Sequence, residues 1–134
     1  MRRCLVVLAC VFAGCSQVEP DKFELAFMVM VSNTTTGQWA IATSDTLNTA
    51  SFNAHTQCPS CGDAGSCAWT SVDSTSSTWG ALARSDNVLF LGQRQYLFGY
   101  GCGRSQAEAS SKAVASCVEP DISCAVVNAS PLVQ

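Results

Sequence analysis

The chain is short of charge. Asp, Glu, Lys and Arg make up 13% of its 134 residues, against 48% apolar residues. That balance excludes an intrinsically disordered segment, which needs low hydrophobicity and high net charge. Basic residues are few, seven against ten acidic ones for a formal charge of −3. No basic run or stripe exists to hold a nucleic-acid backbone. Histidine is nearly missing: His55 is the only one, so a Ser-His-Asp arrangement has one candidate base, in a turn-rich segment. No apolar run reaches the eighteen or so residues of a membrane-spanning helix. The carboxylates are scattered, with no two marked as the acids of a glycosidase. Gly99-x-Gly101-x-Gly103 alternates too tightly for a dinucleotide fingerprint and lacks a βαβ unit around it; a corner or a closely approached backbone suits it better. The sequence therefore points away from an enzyme and implies no cofactor and no metal. Its length suits one domain.

The chain does have an address and many sulfurs. Arg2 and Arg3 precede an apolar stretch over residues 4–13, which is followed by Gly14-Cys15. A positive start, an apolar centre of this length and small residues at its end define an export signal. Phe12-Ala13-Gly14-Cys15 resembles the lipobox of bacterial lipoproteins, with Phe12 where that family usually has leucine. The resemblance implies cleavage before Cys15, a diacylglycerol on its thiol and an acylated amine. Ser16 in place of aspartate implies sorting to the outer membrane, with simple secretion as the alternative. The chain then divides into a signal (1–14), lipidated Cys15 with a polar tether (15–22) and a single domain (23–134). Each buried methylene contributes about 0.8 kcal/mol and stable anchoring needs more than one acyl chain, so the membrane is one partner and an envelope protein the other. Without Arg2 and Arg3, five basic side chains face ten acidic ones.

Two further cysteines, Cys4 and Cys10, leave with the signal. Cys58, Cys61, Cys67, Cys102, Cys117 and Cys124 remain. An even number in a small exported domain predicts three disulfides, with fifteen connectivities open. Two rivals share the same residues. His55, Cys58, Cys61 and Cys67 could count as zinc ligands, and Cys58-Pro59-Ser60-Cys61 looks like a thiol-redox CPxC. A redox pair needs a helix N-terminus to lower its thiol pKa, whereas Gly62-Asp63-Ala64-Gly65 follows here, which is loop chemistry.

Period-two spacing over residues 23–31 predicts a strand. Further strands are expected at 38–43, 50–55 and 68–72, with a glycine-bearing loop over 58–66 and a polar connector over 73–78. Residues 79–84 and 88–93 bracket Ser85-Asp86-Asn87 as a hairpin, and 96–101 continue as strand. Ser105-Gln106-Ala107-Glu108 fits a capping box that opens the one expected helix, with Ala109, Ala113, Val114 and Cys117 on one face and Pro120 as its stop. A last strand follows over 124–128. Residues 40–45 echo 81–86 at an offset of 41, and Cys61 with Cys67 echoes Cys117 with Cys124. On that alignment the first copy lacks a helix. The expected fold is α+β: a small antiparallel sheet with one helix, arranged as a degenerate ββαβ repeat and stapled by disulfides.

Residues 79–128 resemble the exported bacterial family termed domain of unknown function 4189: Gly99-Tyr100-Gly101, a capped alanine-rich helix ending at Cys117, a short loop, then Cys124-Ala125-Val126-Val127. The resemblance implies an α+β domain and no established reaction. It also implies a Cys117–Cys124 bridge with Cys61–Cys67 as its counterpart, which leaves Cys58 and Cys102 to pair and join the halves. Surface aromatics and arginines mark partner sites, so Arg94, Tyr96, Tyr100 and Arg104, near the hairpin and the helix start, are the expected binding residues. The functional expectation is an envelope lipoprotein whose domain binds or protects, as an interaction, inhibitor or immunity-like module.

Overall fold

The computed structural model describes residues 24–117, 119 and 121–133. The signal, Cys15, the tether and Pro120 lie outside the described residues. The first half consists of β1 (Leu25–Ser32), β2 (Trp39–Ser44), α1 (Leu47–Gln57) and β3 (Gly62–Thr70). The second consists of β4 (Trp79–Ser85), a hairpin of β5 (Val88–Phe90) and β6 (Gln93–Gln95), β7 (Phe98–Gly103), α2 (Gln106–Cys117) and β8 (Cys124–Pro131). Each half builds a three-stranded antiparallel sheet with its first strand in the centre, in the orders β2-β1-β3 and β7-β4-β8.

The sheets pack face to face with a helix outside each, giving helix, sheet, sheet, helix. Ala26, Met28 and Met30 of β1 meet Leu82 and Leu132 between the sheets, with Trp39, Trp69 and Phe98 around them. Val29 and Val31 point the other way, against Ala50 and Ala54 of α1. Strand β1 is thus buried on both faces, which explains why it reads LAFMVMV instead of alternating with polar residues. In the second half Ala81 and Ala83 of β4 face Ala109 and Ala113 of α2.

The halves are two copies of one ββαβ unit. Thr46 pairs with Ser105, Ala50 with Ala109, Ala54 with Ala113 and Cys58 with Cys117, each pair 59 residues apart with no gap. Thr46 and Ser105 do the same work at the helix starts: each hydroxyl accepts from the amide three residues on, Thr49 N at 3.2 Å and Glu108 N at 3.1 Å. Each central strand carries a register shift against the last strand of its half, between Met30 and Val31 and between Leu82 and Ala83. The expected repeat is therefore present, but at a different offset. Residues 40–44 lie on β2, the counterpart of β7, and do not correspond to 81–85 on β4. The helix expected to be missing is α1, and the weak strand expected at 50–55 lies inside it.

Among the described residues all six cysteines are bridged, as Cys58–Cys61, Cys67–Cys102 and Cys117–Cys124. Cys117–Cys124 agrees with the expectation; the other two pairings correct it. Cys61 stands just before β3 and Cys67 lies within it, so roughly 20 Å of extended chain separates them, far beyond a disulfide's reach. Cys58 caps α1 on the outside of the first sheet, whereas Cys102 lies in the packing between the sheets. Cys58–Cys61 is instead the first-half equivalent of Cys117–Cys124, each tying a helix end to the next strand. One bridge does join the halves as expected, with Cys67 in place of Cys58.

Two more expectations shift. Strand β3 begins at Gly62, inside the segment read as a loop. The hairpin is β5–β6, turning at Leu91-Gly92, whereas β4 pairs with β7 and β8. The glycine-rich strand β7 is a closely approached backbone. A Cβ at Gly99 or Gly101 would collide with the α2 backbone at Ala113 and Cys117, or at Ala109 and Ala113.

Candidate functional site

The strongest site geometry lies at the end of β1 away from the domain's N-terminal entry. The chain enters at Glu24 and runs through eight residues of β1, about 26 Å at the strand rise. It then turns through residues 33–38. Asn33 organises that turn: its Oδ1 accepts from the amides of Thr35 and Thr36, and its Nδ2 donates to the carbonyl and hydroxyl of Ser60. One side chain thus holds the turn against the Cys58–Cys61 loop. Gly37, at φ 78°, is buried beneath the Tyr96 ring, where a Cβ would have no room.

Beneath this turn is a cleft of about 420 Å³ lined by Thr36, Gln38, Trp39, Gln57, Pro59 and Arg84. Arg84 is half-buried. It donates from one terminal nitrogen to the Gly37 carbonyl at 2.7 Å, and its guanidinium carbon sits 5.2 Å from the centre of the Tyr96 ring. Among the described residues, the ion pairs within 4.0 Å are His55–Asp63 and Lys112–Glu108, and neither involves Arg84. Gln38 Oε1 accepts from the hydroxyls of Thr36 (3.3 Å) and Ser60 (3.4 Å). That orients the Gln38 amide with its NH₂ free of those partners.

The four residues expected to bind do not converge. Tyr96 sits at the cleft, behind Arg84. Tyr100 packs on Gly65 of β3, and Arg104 stands beyond the far end of β7 at the start of α2. Tyr96 and Arg104 lie on either side of β7, eight positions apart, about 26 Å by strand rise. Arg94 is on the exposed hairpin, near the Asn87 carbonyl. Sequence reasoning missed Arg84, which reads as one residue of a core strand. The signal available was a cation interrupting an otherwise apolar run, ALA before it and no acid within reach on its own strand.

His55 Nε2 lies 2.9 Å from Asp63 Oδ1, joining the last turn of α1 to β3. Among the described residues no group of three or more His, Cys, Asp or Glu side chains is placed to hold a metal ion. Cys58 is the C-cap of α1. The negative end of the helix dipole therefore faces its sulfur, the reverse of the arrangement that stabilises a thiolate.

The carboxyl of Glu108 is held below the ordinary glutamate range, first by the backbone N–H of Arg104 and then by Lys112. Asp73, in the connector between the halves, is lowered by two hydrogen bonds from Thr75. A second exposed feature is the hairpin tip. Leu91 is 86% exposed and Leu89 66% exposed. Leu91 also adopts a left-handed φ of 53° ahead of Gly92 at 83°, the two-residue turn that asparagine-glycine normally makes.

Comparison with protein-family models, curated proteins and solved structures returned no match.

Proposed function

We propose that the protein is a bacterial envelope lipoprotein, anchored by lipid on Cys15, whose domain binds a ligand or partner instead of catalysing a reaction. The observation that carries the binding reading is Arg84: a cation held at the base of a polar cleft, with its acceptors among the described residues limited to one carbonyl. Groups fixed before a ligand arrives reduce the ordering cost of binding. The export reading draws support from three bridges, which persist in oxidising compartments, and from the resemblance of residues 79–128 to an exported family. An anchor ahead of Glu24 would attach at the end of β1 opposite the cleft. The rival thiol-redox or zinc function at Cys58 and Cys61 is disfavoured by the helix C-terminus at Cys58.

Metabolic labelling with palmitate, followed by membrane fractionation, tests the anchor. Label is expected on the wild-type chain, in the outer-membrane fraction, and none on Cys15→Ser. A soluble, unlabelled mature form with accessible thiols would overturn the reading.

A further inference from the structure

We propose that the Arg84 cleft is a carboxylate site, taking a singly charged acid on a compact apolar body; the proposal rests on the binding reading above and names its ligand class. The charge inside the cleft is the first argument. Acidic residues outnumber basic ones in the chain, yet among the described residues the only charged one lining this cleft is Arg84.

Geometry is the second. The Gly37 carbonyl and the Tyr96 ring together fix the plane of the guanidinium. An arginine carries five N–H donors in a planar fork, and a fork held in one plane suits the two oxygens of a carboxylate. The Gln38 amide, its oxygen engaged by Thr36 and Ser60, presents its nitrogen as a further donor. Trp39 and Pro59 supply apolar wall, and the volume falls within the range of small-ligand pockets.

The third argument separates carboxylate from phosphate. Gln57 and Cys58, which line the cleft, are the C-terminal end of α1. That end carries about half a negative charge and repels a dianion more than a monoanion. A lone arginine beside it is matched to one negative charge. Two sources present such a group, a free small acid and the C-terminus of a peptide.

Titration of the full mature, ¹⁵N-labelled protein with acetate, N-acetylalanine, N-acetylalanine amide and inorganic phosphate tests this. N-acetylalanine is expected to shift the amides of Gly37 and Gln38, the Trp39 indole and Arg84 Nε saturably, and the amide-capped probe to shift none of them. Equal response to acetate identifies a free acid as sufficient, whereas response to N-acetylalanine alone identifies a peptide terminus. Arg84→Gln is expected to weaken binding by about tenfold or more, as for loss of a charged hydrogen bond. Should that variant not fold, Gln38→Glu decides: a carboxylate supplied at the rim competes for Arg84 and should abolish the shifts. Unmoved resonances, an equal response to the amide-capped probe, tighter phosphate binding or full affinity in Gln38→Glu would each overturn the proposal. A null titration with lipid labelling of Cys15 intact overturns the ligand class alone. Saturable carboxylate shifts in a chain that carries no lipid overturn the anchor alone.

Discussion

The two halves share a topology and pack it differently. On β2 the residues facing α1 include Ala40 and Ala42; at the same positions on β7 stand Gly99 and Gly101. Against this strand the first helix meets methyl groups, whereas the second meets bare backbone. Thr/Ser-rich α1 buries Ala50 and Ala54, and α2 buries Ala109, Ala113 and Cys117. The difference teaches that a duplicated unit can keep its caps, bridges and bulges while exchanging how closely its layers approach. The connections differ too: residues 33–38 turn tightly in the first half, and the second half inserts the β5–β6 hairpin.

The largest effect that would break the comparison is separation of the copies. Replacing Cys67 and Cys102 together by alanine opens a closure of 35 residues, worth about 4 kcal/mol on the chain-entropy model. Removing Cys58–Cys61, with a separation of three, should cost about 2 kcal/mol. Urea denaturation of the oxidised proteins measures both. Equal losses would mean that the bridge between the halves does not act by restricting the unfolded chain.

Next comes the packing difference itself. Gly101→Ala places a methyl group against the backbone of Ala109 and Ala113, where no flexible side chain can yield, and should destabilise by about 3 kcal/mol. The reciprocal Ala42→Gly removes a methyl group and adds backbone freedom at the equivalent position, for about 1 kcal/mol. If the two variants unfold at the same urea midpoint, the halves do not differ in helix approach.

Much of this was legible in the residues. β1 follows from period-two patterning and α2 from a capping box, and strands were expected near β2, β4, β7 and β8. Glu108 closes the box one residue early, accepting from Arg104 N at 2.9 Å. Helix α1 was not legible because LNTASFNAHTQ is rich in threonine, serine and asparagine, which have weak helix propensity. It also has no apolar stripe, its inward face being two alanines. Aligning the chain on Cys58 with Cys117 would have exposed it. The offset of 41 matched two alternating strands instead, and any two such strands match. Arg84 and the turn at residues 33–38 come together only in three dimensions.

The hairpin sharpens the comparison with a gain instead of a loss. Leu91 holds a left-handed φ that a branched apolar side chain disfavours, and it packs on little. Leu91→Asn should stabilise the protein by about 1 kcal/mol, read as a raised urea midpoint. A lowered midpoint would mean that the leucine contributes packing to the fold. Nothing in the first half offers a counterpart, since its shorter turn is already held by Asn33.

The smallest difference is electrostatic and confined to the caps. Glu108 helps hold the start of α2, whereas Thr49 occupies the equivalent place in α1 and carries no charge. A carboxyl lowered in the folded state contributes stability that is present above its unfolded value and lost as pH falls through the folded one. Amide exchange in the first turn of α2 should therefore accelerate on acidification through that window, relative to the first turn of α1. Glu108→Gln should remove the acceleration. Asp73 is also lowered and titrates nearby, so Asp73→Asn is the background in which to measure it. Matching acceleration in both helices would reveal opening of the whole domain, because the Thr46 cap has nothing to titrate.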